Sequence, residues 1–237
     1  MIGSWKLLSI VLRNMRKKGI LGGGVLFGGM ALSHAAVVSW GSVGTNIQAG
    51  DLITGGSPFL AQDSGAGPGA TIGDNVFVAG SLQNAAGTGL ASNTNNGGFY
   101  TGGGGDTGSA ELNTIMNSHS YLGGGALFTL TGLTVGNSYD AQFIAVGDTR
   151  GCCASREQFV DDGNGNASGA MVRSGGDWVV GSFVADAATQ TFNITGANDP
   201  GLSAIVVRDM GAGAVPEPST ALLSLAGLLG LALRRRR

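Results

Sequence analysis

Between Ala36 and Val215 the 237-residue chain has no lysine and four arginines, Arg150, Arg156, Arg173 and Arg208. That shortage argues against nucleic acid as a partner, because phosphate backbones are bound by Lys and Arg. Fourteen carboxylates in the same stretch, twelve Asp with Glu111 and Glu157, leave it ten negative charges. An acidic, lysine-free body suits an exported protein that must stay soluble, or one that meets cations. Histidine is scarce as well. Beyond position 34 the one left is His119, so no two-histidine zinc site can be built, and no Gly-x-Ser-x-Gly nucleophile elbow occurs. His119 itself reads as a solvated residue at a helix end. The 45 glycines follow no Gly-X-Y period, which excludes collagen. The length fits one domain of about 180 residues with tails, or at most two small ones.

The positive charge that the body lacks sits at the two ends. Lys6, Arg13, Arg16, Lys17 and Lys18 precede an apolar run over 20–32, and Ser33-His34-Ala35 supplies small residues for a cut between Ala35 and Ala36. This is the three-part layout of a secretory signal peptide. The run is too short and too glycine-rich for a stable membrane span. A buried N-terminal helix is the alternative, and its three consecutive glycines weaken it. Met15-Arg16-Lys17-Lys18 forms a compact basic region by itself, which makes Met15 a second candidate start.

At the other end Val215-Pro216-Glu217-Pro218 is followed by fifteen uncharged residues, 219–233, and then by Arg234 to Arg237. A helix of that length spans roughly 22 Å, somewhat less than a hydrocarbon core of about 30 Å. Terminal arginines would snorkel and stay cytoplasmic. The prolines leave an extended, reachable peptide upstream. Motif, apolar segment and basic cluster resemble, in that order, the PEP-CTERM sorting tail of exported bacterial proteins, with Pro216, Glu217 and Pro218 as its signature. The resemblance implies recognition and cutting by an exosortase, transient anchoring in the inner membrane, and a Gram-negative host that makes exopolysaccharide and biofilm. An ordinary tail anchor is the plainer alternative.

The body reads as all-β. Apolar, β-branched and aromatic tracts at 37–40, 75–79, 126–130, 138–146, 156–160, 178–185, 189–194 and 202–208 predict strands, separated by Gly/Asn/Asp turns. Along 138–146, Tyr139, Ala141, Phe143 and Ala145 alternate with Asp140, Gln142 and Ile144, which predicts one apolar face. Leu112, Ile115 and Met116 predict one helix over 109–119, ended by Gly123-Gly124-Gly125. The expected architecture is an antiparallel β-sandwich or jelly roll with one short helix. It is flanked by an N-terminal signal peptide (1–35) and a C-terminal hydrophobic sorting helix within 215–237, the domain itself being 36–214. Thirteen aromatic residues between 36 and 214 suffice for a proper interior. The segment from Leu130 to Tyr139, with its Gly-Leu-Thr-Val-Gly turn, resembles a recurrent stretch of exported PEP-CTERM β-sandwich modules, which are similar in fold to carbohydrate-binding jelly rolls.

Candidate functional residues fall in three places. Asp162, Asn164 and Asn166, with Asp161 beside them, alternate like the first oxygen ligands of a calcium loop. Ala167 where glycine is required and Arg173 where a bidentate Glu belongs exclude an EF-hand. A looser calcium site or a tight Gly/Asn turn remains, the turn being favoured. Cys152 and Cys153 are adjacent, with Cα atoms about 3.8 Å apart, short of the usual disulfide span. In an oxidising exterior they form a vicinal disulfide stiffening the loop 148–156, cross-link chains, or stay free. Arg150 and Arg156 offer planar donors to a sugar or carboxylate, or pair with Asp148 and Glu157. Trp178, like Phe99, Tyr100 and Tyr121, lies beside glycine-rich loops and serves either to stack on a sugar or to fill the core. No pair of carboxylates stands out for glycoside hydrolysis, since most acids occupy turns. The expectation is a non-enzymatic module at the cell surface or in the extracellular matrix. It would bind or scaffold exopolysaccharide, with or without calcium. A purely structural matrix protein comes second and a polysaccharide-modifying enzyme third.

Overall fold

A computed structural model describes residues 36–65, 67–79, 90–92, 97–101, 107–122, 126–145, 148, 150–196, 198 and 200–213. The predicted signal segment, Ala35 included, and the tail with Pro216, Glu217 and Pro218 lie outside the described residues. In chain order the elements are β1 (Ser39–Trp40), β2 (Ser57–Asp63), β3 (Ala70–Ile72), β4 (Asn75–Phe77), β5 (Leu90–Ser92), β6 (Gly97–Thr101), α1 (Ala110–Met116) and β7 (Ser118–Leu122). They continue with β8 (Ala126–Thr131), β9 (Asn137–Ala145), β10 (Glu157–Asp161), β11 (Met171–Val172), β12 (Trp178–Val184), β13 (Thr189–Gly196) and β14 (Gly201–Ala212). The described residues are all-β apart from α1 and short 3-10 turns, and every pairing between these strands is antiparallel.

One sheet runs β1-β12-β9-β14-β7-β6, with β2 also on β14; the other runs β11-β10-β13-β8-β5, and β3-β4 is a separate hairpin. β14 takes β9 along one edge, while β7 and then β2 share the other. Between the two larger sheets lies the main core. Tyr139, Phe143, Val179, Phe183, Leu202, Ile205 and Val207 come from one side, and Phe128, Leu130, Val160, Phe192 and Ile194 from the other. Phe192 is its hub, with ring centroids 5.0 Å from Phe143, 5.5 Å from Phe128 and 5.9 Å from Phe183. Burying such rings contributes transfer free energy and favourable tilted packing.

The prediction of a single apolar face for β9 does not hold. Its other face is buried as well: Ile144 joins Ala204, Val206 and Ala61 in a second core against Leu112, Ile115 and Met116 of α1, with Ile47, Leu52 and Phe77. Gln142 sits on that face, and its amide accepts from Ile53 N–H (3.2 Å) and donates to Asp51 C=O (2.8 Å). The fold is therefore a sandwich with a third layer of helix, hairpin and loop.

α1 starts where Ser109 caps Leu112 N–H and stops at Met116, not at the later glycines. Its apolar period is spent there, and residues 118–122 pair with β14 and β6 instead. β2 has no counterpart among the predicted strands, because Pro58, Gln62 and Asp63 dilute its apolar content. The Gly-Leu-Thr-Val-Gly turn has a clear cause: the Tyr139 hydroxyl accepts the Thr134 N–H at 2.9 Å, and Gly132 and Gly136 take positive φ. At Gly181 a side chain would collide with Trp40 and Val38, so glycine there lets Trp40 lie over the sheet.

Arg208 is fully buried near the end of β14. Its guanidinium donates to the carbonyls of Gly55 (2.7 Å), Thr54 (3.0 Å) and Gly56 (3.2 Å), to Asn75 Oδ1 (3.1 Å) and to Asp74 Oδ2 (2.6 Å). Asn75 in turn donates to Ile53 C=O at 3.1 Å. One cation thereby ties the 53–56 loop and the β3-β4 hairpin to the sheet. Arg208→Ala is expected to cost about 1–3 kcal/mol, since it leaves the buried Asn75 oxygen without its donor and unfastens the exposed carbonyls of Thr54, Gly55 and Gly56. Urea unfolding checks this, and a loss below about 1 kcal/mol would mean that water already serves those carbonyls.

Candidate functional site

Apart from Trp178, which opens β12, the candidate loop residues lie at the two ends of β10. Loop 148–156 precedes the strand and loop 162–167 follows it. Five extended residues separate the two groups by roughly 16 Å of strand.

At the far end Asp162 is buried and holds four donors. Oδ1 accepts Asn164 N–H (2.8 Å) and Asn166 N–H (3.3 Å); Oδ2 accepts Val38 N–H (3.1 Å) and the Asn166 amide (3.2 Å). Asn166 also donates to Val38 C=O at 2.6 Å, and Asp161 accepts Gly163 N–H at 2.7 Å. Burial works against ionisation of Asp162, but these donors outweigh it and hold its carboxyl below the usual carboxylate range. The loop thus fastens the segment entering β1 to the second sheet. Ala36, on the described side of the predicted cut, is packed into the main core. Among the described residues no group of three or more His, Cys, Asp or Glu is arranged to hold a metal.

At the near end Cys152 and Cys153 are joined by a disulfide. Arg150 makes a two-pronged pair with the buried Asp148, Nε to Oδ1 at 2.8 Å and Nη2 to Oδ2 at 2.6 Å. That pairing holds the Asp148 carboxyl below its usual range. Arg156 reaches Asn198 C=O at 3.0 Å. Trp178 is half-buried against the second core.

Sequence reasoning missed the group beneath this loop. His119 is buried in β7, not solvated, and Arg173 is buried as well. Burial, reinforced by the Arg173 charge and opposed by Asp148, brings the His119 pKa down to about 4. The signal available was the polar-apolar alternation of Ser118-His119-Ser120-Tyr121, which reads as a strand once the helix is stopped at Met116. Asp177, buried nearby, has its carboxyl pushed up by burial although it accepts Val172 N–H at 2.7 Å. At the end of β2, where it pairs with Ala204 of β14, Asp63 is buried too, and burial pushes it up to about 6 against the N–H donors of Gly65 and Gly69. Apart from these groups, a shallow groove of about 360 Å³ is lined by Pro58, Phe59, Leu60, Ala61, Asp74, Val76 and Val78. None of the sequence-predicted site residues lines it. The side chains of Phe99, Tyr100 and Tyr121 lie outside the described residues.

The class of molecule is set by this architecture, an antiparallel all-β sandwich with an added helical layer. Its more particular mark is in the tail: residues 214–237 match the PEP-CTERM protein-sorting motif. That motif points to an exported protein sorted by exosortase. No curated protein matches the chain. Among solved structures, a family GH115 4-O-methyl-alpha-glucuronidase with specificity for decorated arabinogalactans aligns over 48% of this chain and 16% of its own, at 11% identity and TM-score 0.31. So slight a likeness carries no argument. Among the described residues no helix is long and apolar enough to cross a membrane, and the apolar segment 219–233 is not among them.

Asp162→Ala is expected to free the segment entering β1, costing about 1–3 kcal/mol with faster hydrogen exchange at Val38. A calcium-dependent rise in parental Tm that this variant abolishes would make the loop a metal site instead of a fastening.

The buried titratable groups make a prediction about pH. Asp63, with its pKa raised from 3.8 to about 6, favours the folded state at low pH and loses that contribution as pH rises from 4 to 6. His119, lowered from 6.5 to about 4, stabilises above 6.5 and loses that as pH falls to 4. The two oppose each other, so the parental Tm should stay nearly level between pH 4.5 and 6.5. Asp63→Asn should make Tm rise, and His119→Gln should make it fall, by roughly 5 °C across that window. Unchanged profiles in both variants would refute the assignment.

Proposed function

We propose that the chain is exported, held for a time in the inner membrane by its tail, and then cut by exosortase near Pro216-Glu217-Pro218. The β-sandwich is thereby delivered to the cell surface or extracellular matrix. The observation that carries this reading is the sorting motif at 214–237, which follows within two residues of the end of β14. In that setting the sandwich binds or scaffolds exopolysaccharide without catalysis, through a concave sheet face or the loops around 148–166, with Arg150, Arg156 and Trp178 as contacts. Calcium at Asp161, Asp162, Asn164 and Asn166 enters as a helper of that binding. A second reading, a structural matrix protein with no specific ligand, is favoured by the extent to which Asp162, Asn166 and Arg150 are engaged in bonds within the chain.

The test uses the full chain expressed in an exosortase-bearing Gram-negative host. Replacing Pro216, Glu217 and Pro218 by Ala should reduce processing at least tenfold and leave the protein in the membrane fraction; unchanged processing would overturn the sorting role. The released protein is then titrated with the host's purified exopolysaccharide, with calcium and with EDTA. Saturable binding supports the first reading, and its loss in EDTA assigns calcium a role. No binding in either condition favours the structural protein, and turnover of the polysaccharide would make it an enzyme.

A further inference from the structure

We propose that the Cys152–Cys153 disulfide is a redox latch, which an external thiol opens to release the loop 150–156 from the buried charged group beneath it. The two half-cystines differ in access: Cys152 is exposed and Cys153 is 5% exposed. A bond between chain neighbours closes no loop of other residues. The chain-entropy contribution of a disulfide grows with the loop it closes, so this one does little for global stability and acts on its own turn.

That turn is tightly bonded. Cys153 N–H and Ala154 N–H both donate to Arg150 C=O at 2.9 Å, and Arg156 N–H donates to Cys153 C=O at 3.1 Å. It is also sewn to the 3-10 turn Arg173–Gly175. Ser174 N–H donates to Ala154 C=O (3.0 Å), Arg173 N–H to Arg156 C=O (3.2 Å), and Asp148 N–H to Arg173 C=O (3.1 Å). Between these anchors the Arg150 guanidinium, its side chain 39% exposed, closes over the fully buried Asp148 carboxylate. The covalent ring therefore holds in register a lid with His119, Asp148 and Arg173 under it.

The chemistry is thiol–disulfide exchange. An external thiolate attacks Sγ of Cys152, and Cys153 leaves as thiolate and takes up a proton. A second thiolate then attacks the mixed disulfide and frees Cys152. The protein gains two electrons and two protons, and two external thiols become one disulfide.

The arginine distribution supplies the readout, since between 36 and 213 trypsin finds no lysine and four arginines. Arg173 and Arg208 are buried, while Arg150 and Arg156 flank the latch. The full chain is treated with dithiothreitol under native conditions, alkylated, and digested in parallel with untreated protein and with the C152S/C153S variant. Cuts in the basic ends serve as the internal standard. The expected result is cleavage after Arg150 and Arg156 at least tenfold faster in the reduced protein and in the variant, with Tm within about 2 °C of the parent. Three results would overturn the latch: equal cleavage in all samples, cysteines that react only in denaturant, or a large fall in Tm with new cuts after Arg173 and Arg208. The last would make the disulfide a staple of the whole fold.

Discussion

A strand with Leu202, Ile205 and Val207 on one side and Ala204 and Val206 on the other offers water nothing to solvate on either face. β14 must therefore be covered twice, and the architecture meets that requirement. The five-stranded sheet covers one face. Covering the other takes α1, the 47–53 stretch and the β3-β4 hairpin, pieces too small to fold alone. Arg208 secures the hairpin and the loop 54–56, because its position on β14 brings five donors to carbonyls and side chains that no strand partner reaches. The desolvation of that cation is offset by a full set of acceptors.

A chain so rich in glycine and poor in charge has few long side chains with which to hold its loops. It uses short polar ones, bonded to backbone, for the same purpose. Gln158 takes both the N–H and the C=O of Gly201, as a neighbouring strand would. Gln142 does likewise for Asp51 and Ile53, and Asp162 and Asn166 together do so for Val38, one accepting its N–H and the other donating to its C=O. Buried amides and carboxylates in this molecule are thus mostly extensions of the hydrogen-bonded sheet. This explains why residues that resemble ligands in sequence turn up as fastenings.

The second half of the body is legible because period-two alternation and Asn/Gly turns agree there, and β8, β9, β10, β12, β13 and β14 fall where those signals place them. The first half is less so. β2 carries Pro58 and two polar residues, and it is a strand because β14 needs an edge partner, a long-range cause that no local pattern records. Burial of β9 on both faces is hidden by Gln142 and Asp140, which read as solvent-facing. His119 is misplaced through a single error, the extension of α1 by one turn. At the candidate site the adjacent cysteines and the Asp/Asn alternation are visible at once, but what they bond to lies 124 residues away in the case of Val38 and Asp162. Such distant partners cannot be read from spacing.

The tail that carries the sorting motif continues from the C-terminal end of β14, a strand in the interior of its sheet. A pull applied along β14 would load its ladders with β9 and β2 together. Hydrogen bonds pulled in shear resist as a group, whereas those of a peeled edge strand break in succession. The chain leaves the domain from a strand that two ladders hold at once.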